Sequence, residues 1–372
     1  MKVIHSYANT NNELSKEVAY GQLLSSLLAK KNYGNVHLYT NKALFEIIDK
    51  IGIPYTSINT NLLDVSTPTT SIPKIKVFAK QEEPFLHIDL DTFIYDKLDT
   101  NKLLSPVTFS HPDFGTRGLG GSFDLMIGGI LNKFRKGVIR TENEKHDSLL
   151  SFVFDFYIEP YVTLIDSISD SFIDNINFSS IPNMNIIWVN ENGLNDFVKS
   201  ANQALKHYHQ NKDYIDNREF GACYIEQFFL HGMMLELNKE YRTLCHNEPD
   251  TPKNCYFDKL PFKILEVDTK NHPTKIELFG ITTEIKNKFE FKELVKNNFK
   301  GFLHATHGLN YDYIQAHIIN QIVENFGEEY VLKLHHYFAQ NNESISDGER
   351  LYMSLFENDL FINYRSLKYC LI

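Results

Sequence analysis

Pro84-Phe85-Leu86-His87-Ile88-Asp89-Leu90-Asp91 decides the fold: an almost unbroken apolar run that closes on two carboxylates. A run this short and this apolar reads as a strand buried on both faces, the kind found inside a parallel sheet. Carboxylates at its end fall where open α/β sheets bind ligands, in the crevice beyond the carboxyl ends of the strands. Upstream, strand and helix signals alternate. Val3 to Tyr7 is a short apolar run, and Glu13 to Lys30 carries Leu14, Val18, Leu23, Leu24, Leu27 and Leu28 at helical spacing, stopped by Gly34. Asn35 to Thr40 reads as a second strand, Lys42 to Ile51 as a helix closed by Gly52, and Ile53-Pro54-Tyr55 leads into a third strand. Residues 61 to 74, rich in Thr, Ser and Pro, read as a loop before a helix over Ile75 to Lys80. The alternation predicts the α/β class: a mostly parallel, Rossmann-like sheet flanked by helices.

Downstream the signals are sparser. Ser110 to Gly129 is Gly-rich without periodicity, and Leu149 to Phe172 reads as a packed helix. Ile186 to Val189 predicts a strand, Leu194 to His209 and Ala222 to Leu237 two helices, and Lys263 to Val267 and Gly301 to His304 late strands. From Tyr311 the spacing of Ile314, Ile318, Ile322 and Phe326, then Val331, Leu334 and Phe338, is helical. The length fits two domains or one large α/β unit with additions, residues 311–372 reading as a helical C-terminal extension to residues 1–310.

Composition narrows the function classes. The chain has 372 residues, of which 42% are hydrophobic and 13% aromatic, enough for a real core and incompatible with disorder. Its 37 Lys and Arg against 47 Asp and Glu give a formal charge of -10, which argues against a nucleic-acid partner while leaving room for a local anion site. No apolar run approaches the roughly 20 residues of a membrane span, and the start reads as a strand with no secretory h-region. Cys223, Cys245, Cys255 and Cys370 lack CxxC spacing, so neither a zinc knuckle nor a disulfide framework is indicated. A cytoplasmic protein is the expectation.

Asp89 and Asp91 are the leading site candidates. In extended backbone they share a side, and two neighbouring carboxylates in a crevice repel unless a cation lies between them. Mg²⁺ and Mn²⁺ prefer such oxygen ligands and complete their shells with phosphate oxygens. The bland reading is two surface carboxylates opening a loop. A phosphatase of the haloacid-dehalogenase type would use the same pair, but Phe93 stands where it needs Thr or Val, and the strand is the fourth of the chain instead of the first. His304 closes a late apolar run and would add a nitrogen ligand; its ordinary alternative is a satisfied core or surface histidine. Glu226 and Gln227 lie in an aromatic helix, where an unpartnered carboxylate is costly, so Glu226 is either working or paired to Arg218 or Arg242. Lys76, on the helix before the Asp pair, would meet a phosphate unless it is one more surface lysine. Gly115 to Gly121 matches no phosphate-loop pattern and reads as a mobile loop over substrate.

Taken in order, these residues resemble a GT-A-type glycosyltransferase with a DxD motif. They resemble more closely an uncharacterised bacterial family of glycosyltransferase-like proteins classed as a domain of unknown function. Val36-His37-Leu38-Tyr39-Thr40 and Ile51-Gly52-Ile53-Pro54-Tyr55 resemble its second strand and the turn to the third. Lys76-Val77-Phe78-Ala79 precedes the most specific block, Glu83 to Asp91. Ile181-Pro182-Asn183-Met184-Asn185 resembles a segment carrying an Asn near the sugar, Glu226-Gln227 an acidic–Gln pair, and His304 the late metal-ligating histidine. Tyr311 stands where related families carry a lysine, so Lys76 or Arg117 would supply that phosphate contact.

The resemblance implies a GT-A-like fold and transfer of a sugar, hexosyltransferase-like, from a nucleotide-diphosphate sugar (a UDP-sugar) to a hydroxyl of an unknown glycan or other acceptor. Mn²⁺ or Mg²⁺ would be held by Asp89, Asp91 and His304; Lys76, Asp89, Asn183 and Gln227 would contact the donor; Glu226 would be catalytic. Inversion and retention of configuration both remain open. The rival readings are a non-catalytic nucleotide-sugar-binding protein and a metal-dependent phosphatase or nucleotidyltransferase using the same Asp pair.

Overall fold

Strand and helix alternate from the start: β1 (Lys2–Ser6), α1 (Lys16–Tyr33), β2 (Val36–Tyr39), α2 (Lys42–Ile51), β3 (Ser57–Asn59), α3 (Ser71–Phe78) and β4 (Phe85–Ile88). There follow β5 (Thr92–Ile94), β6 (Val107–Pro112), β7 (Pro182–Val189), α4 (Glu191–Gln210), α5 (Lys212–Asp216), α6 (Gly221–Cys223), a π-helical stretch (Tyr224–Leu230) and α7 (His231–Glu236). Short strands β8 (Tyr241–Thr243), β9 (Cys255–Phe257), β10 (Phe262–Val267), β11 (Pro273–Leu278), β12 (Ile281–Glu284) and β13 (Phe302–His304) precede helices α8 (Asp312–Phe326), α9 (Glu328–Gln340) and α10 (Asp347–Phe356). This computed structural model describes residues 1–9, 11–61, 69, 71–98, 103–112, 182–217, 221–237, 241–244, 255–257, 262–267, 273–278, 281–284, 302–305, 309, 312–341, 343–356, 358 and 360–361. The expected helix over Leu149 to Phe172 and the Gly115 to Gly121 loop with Arg117 lie outside them.

The main sheet has the order β3-β2-β1-β4-β7-β6-β8 among the described residues. β3, β2, β1 and β4 are parallel, β7 runs against both β4 and β6, and β8 is parallel to β6, so β7 alone is reversed. The sheet is thus the mostly parallel, helix-flanked α/β arrangement the sequence predicts. β4 lies at its centre with all four residues buried, as its unbroken apolar run requires.

Local chemistry fixes the boundaries. Ser15 caps α1, its Oγ accepting from Val18 N at 3.3 Å, so the helix begins after Glu13 instead of at it. Asn41 caps α2 in the same way, and Gly52 ends it in the left-handed region at φ 79°, where glycine carries no Cβ penalty. α3 starts at Ser71, earlier than the Thr/Ser/Pro composition indicates, because Pro73 sits in a first turn whose N–H groups have no intrahelical partner anyway. β3 forms at Ser57–Asn59, beyond Ile53-Pro54-Tyr55, and β7 extends four residues upstream of Ile186.

Two hydrophobic layers cover the sheet. On one face Ile4, Phe85, Ile187 and Val189 pack against Ile75 and Phe78 of α3 and Phe197 of α4. The Phe78 ring lies 5.9 Å from Phe85 and 5.5 Å from Phe197, pairs worth about 0.5–1.5 kcal/mol each beyond their burial. On the other face Val3, Val36, Leu86, Ile88 and Ile186 pack with Ala29 of α1, and α1 and α2 in turn share a core with α8, α9 and α10 through Leu24, Leu27, Ile48, Ile314, Ile318 and Leu334. The C-terminal helices therefore pack directly on the opening strand–helix units. Among the described residues no helix is long and apolar enough to cross a membrane.

Candidate functional site

β4 stops at Ile88, and Asp89-Leu90-Asp91 forms a turn into β5 instead of continuing extended. The two carboxylates are thus brought together by a turn, not by the two-residue alternation of a strand. α1 props this turn from beneath. Ser25 Oγ donates to Thr92 O at 2.8 Å and to Asp89 O at 3.3 Å. One helical turn earlier, Gly21 lies so close that a Cβ there would sit 3.3 Å from Leu90 O and 2.9 Å from the Leu309 side chain. Asp89 N bonds Asn185 O at 2.8 Å and Thr92 N bonds Asp89 O at 3.1 Å, closing the turn from both sides.

Lys74 organises the acids. Its Nζ lies 2.8 Å from Asp89 Oδ2 and 2.5 Å from Glu226 Oε1, joining residues 152 positions apart in the chain. The side chains are 9% exposed for Lys74, 28% for Asp89 and 14% for Glu226, so the pairing is held largely out of water. Burial disfavours the ammonium, but the two carboxylates outweigh it and raise the Lys74 pKa. Burial lifts Asp89 to about 6; Lys74 pulls it down, and the neighbouring Asp91 charge pushes it up again. Glu226 is raised too, by burial first, with Asp89 and Asp91 opposing the pull of Lys74. Among the described residues the partner of Glu226 is Lys74; Arg218 and the Arg242 side chain, the partners the sequence offers, lie outside them. Lys76 points to the half-exposed side of α3 and, among the described residues, makes no ion pair with these acids.

Glu226 and Gln227 belong to the π-helical stretch, not to the regular helix expected from Ala222 to Leu237. Such wide turns recur at functional sites. Gln227 is buried, and its Oε1 has no hydrogen-bond partner among the described residues. His87, two residues before Asp89 on the same face of β4, is fully buried; Ser6 Oγ lies 2.9 Å from its Nε2, and its Nδ1 is 3.7 Å from Asp89 Oδ1. Burial, then the Lys74 charge, hold His87 well below the usual histidine range, so it is neutral beneath the acids.

Asn183 is buried, and its Oδ1 accepts from Asn185 N at 3.0 Å. The second Asn of the segment reaches the turn: Asn185 Nδ2 donates to Thr92 Oγ1 at 3.0 Å, and its Oδ1 accepts from Ser110 Oγ. Replacing Asn185 with Ala takes its donor from the buried Thr92 hydroxyl, while Ser110 Oγ keeps its bond to Asn183 O at 3.0 Å, and is expected to cost about 1–3 kcal/mol in urea unfolding. His304 pairs with Thr92 across antiparallel β5 and β13, and Ala305 N bonds Asp91 O at 2.9 Å. The backbone thus places residue 304 beside the Asp89–Asp91 turn; its side chain is outside the described atoms.

The assembly sets three carboxylates, Asp89, Asp91 and Glu226, around one ammonium among the described residues. Among the described residues no group of three or more His, Cys, Asp or Glu side chains is placed to hold a metal ion. Lys74, His87 and Asn185 were not singled out by sequence reasoning. Lys74 shares a face of α3 with Ser71 and Phe78, but with Ile72, Pro73, Ile75 and Val77 buried as well no sequence signal separates it from Lys76.

Residues 1–126 match a family of unknown function (DUF6734). No curated protein is similar enough to count as a match. Among solved structures the chain is similar to an active-site mutant of LgtC, at 10% identity and TM-score 0.32, covering 69% of this chain and 75% of that one. It is similar also to the galactosyltransferase LgtC in complex with donor and acceptor sugar analogues, at 11% identity and TM-score 0.33, covering 69% and 76%. The bifunctional glycosyltransferase WbbM gives 11% identity and TM-score 0.40, covering 90% of this chain and 51% of that one. These structural neighbours of the chain are glycosyltransferases.

Proposed function

We propose that the protein is a metal-dependent glycosyltransferase that moves a sugar from a nucleotide-diphosphate sugar, a UDP-sugar, to an acceptor hydroxyl. The observation that carries the reading is the Lys74–Asp89–Glu226 assembly with Asp91, set in the crevice beyond β4. Residues 1–310 would carry the chemistry and the protein would work in the cytoplasm. Asp89, Asp91 and His304 would hold Mn²⁺ or Mg²⁺, which would supply Lewis-acid stabilisation to the departing diphosphate. Glu226, with its pKa raised above the ordinary carboxylate value, would take the proton of the acceptor hydroxyl as the new glycosidic bond forms and the bond to the diphosphate breaks. Lys74 would keep Glu226 oriented and add positive charge near the phosphates. Gln227 Oε1 would accept from a sugar hydroxyl, with Asn183 beside it.

Thermal unfolding tests the donor site. Nucleoside diphosphate and Mn²⁺ together should raise Tm, each alone should not, and Asp91→Ala should lose the shift. Absence of any shift with every nucleotide would refute the donor assignment. Slow donor hydrolysis then separates an enzyme from a binding protein: free sugar should appear with the native chain and fall by about 10²-fold or more in Glu226→Gln, which keeps an oxygen for Lys74 but loses the base.

A further inference from the structure

A cavity of about 490 Å³ lies between the chain leaving β1, the first turn of α1, and the end of α9. That volume is within the roughly 300–1,000 Å³ range of small-molecule sites. Tyr7, Tyr337 and Phe338 supply aromatic wall, and Asn9, Glu13 and Glu343 supply amide and carboxylate groups. No Lys, Arg or His lines it among the described residues. The Lys16 charge reaches Glu343 from outside the lining, its Nζ 2.7 Å from Glu349 Oε2 and 3.1 Å from Ser344 O. Asn9 donates from Nδ2 to Glu13 O at 2.6 Å and to Tyr7 Oη at 3.1 Å, while its Oδ1 is buried without a hydrogen-bond partner among the described residues.

The chemistry of this wall is selective. Its carboxylates carry two negative charges with no cation lining the cavity among the described residues, so phosphates and carboxylates are repelled. Acceptor oxygens ask for a ligand rich in O–H donors, and aromatic faces pack against its C–H surfaces. A neutral saccharide meets both demands. The cavity also exists only because α9 packs against α1 and α2, with Ile47 of α2 completing the wall, so the C-terminal extension closes a binding site on the N-terminal unit.

We propose that this cavity binds a neutral saccharide and is the acceptor-recognition site of the transferase. Its role as an acceptor site rests on the transferase reading; saccharide binding by the cavity does not.

The test is calorimetric titration of the full chain with lactose, cellobiose, maltose and N,N′-diacetylchitobiose. At least one should bind. Tyr337→Ala, at a half-exposed position, should weaken it tenfold or more, Tyr337→Phe should retain binding within about threefold, and Glu343→Gln should weaken it several-fold. The Mn²⁺-dependent nucleotide Tm shift should be unchanged in all three variants. Flat titrations with all four sugars, or binding indifferent to Tyr337→Ala and Glu343→Gln, would overturn the proposal. So would displacement of the bound sugar by a nucleoside, which would assign the cavity to the donor. A nucleotide shift with flat sugar titrations removes the cavity proposal and spares the donor site. Sugar binding that depends on Tyr337, without any nucleotide shift, keeps the cavity as a saccharide site and removes the transferase.

Discussion

Lys74→Met should lower the unfolding free energy by about 3 kcal/mol in metal-free buffer, whereas Lys76→Met, two residues along α3, should change it by no more than about 0.5 kcal/mol. The asymmetry follows from position. Lys74 is the ammonium between Asp89 and Glu226, at 2.8 and 2.5 Å, and Asp91 adds a further negative charge nearby. Removing it leaves carboxylates facing one another in a largely buried crevice, which costs more than the pair itself contributes. The estimate sits at the low end of the usual 3–5 kcal/mol because Asp89 keeps 28% of its side chain in water. Added Mn²⁺ should recover part of the lost stability, since a divalent cation can take over the charge balance, but donor hydrolysis should stay about 10²-fold down because Glu226 loses its orienting partner. Urea unfolding with and without Mn²⁺, alongside a sugar-release assay, reads both effects. A Lys74→Met protein as stable and active as Lys76→Met would remove Lys74 from the site.

The contrast between the two lysines shows where sequence reading stops. α3 is apolar on nearly every side, so the pattern Ser-Ile-Pro-Lys-Ile-Lys-Val-Phe gives no clean stripe to say which lysine turns inward. The choice is made by tertiary packing, when Phe78 locks against Phe85 and Phe197 and turns Lys74 over the end of β4. The same holds for Asn185: Asn183 and Asn185 are equivalent in the sequence, and only pairing of β7 against β4 and β6 brings Asn185 to Thr92 and Ser110. The strand–helix alternation of the first 60 residues was legible because its strands are short apolar runs and α1 and α2 carry their own caps, Ser15 and Gly34, Asn41 and Gly52. β4 was legible because a central parallel strand must be apolar on both faces. The π-helical turn under Glu226 was not, since a helix with one widened turn keeps an almost helical sequence pattern.

The C-terminal helices offer the second large effect, and it is a pH effect. Glu349 on α10 is fully buried and accepts from Lys16 Nζ (2.7 Å), Tyr20 Oη (2.7 Å) and Ser346 N (2.7 Å), with His335 Nδ1 2.9 Å away. It thereby ties α10 to both α1 and α9. Burial alone would raise its pKa; the His335 hydrogen bond and the Lys16 charge overcome that and hold it at about 2. A carboxyl whose pKa is depressed on folding adds stability above its unfolded value, near the ordinary 4.3, and loses that contribution as pH falls toward the folded value. The depression corresponds to about 3 kcal/mol, fully present at pH 7 and eroded between roughly pH 5 and pH 2. Glu349→Gln should therefore be destabilised by about 3 kcal/mol at pH 7, where it also leaves Lys16 buried with a weakened partner. Its disadvantage should shrink steadily on acidification, until the two proteins converge near pH 2–3. Urea midpoints measured from pH 7 to pH 3 give the difference directly. A difference independent of pH would mean that Glu349 acts through packing and not through its charge. Because the same helices build the saccharide cavity, the variant should lose disaccharide binding at pH 7 in proportion to the fraction of chains whose C-terminal helices have come away.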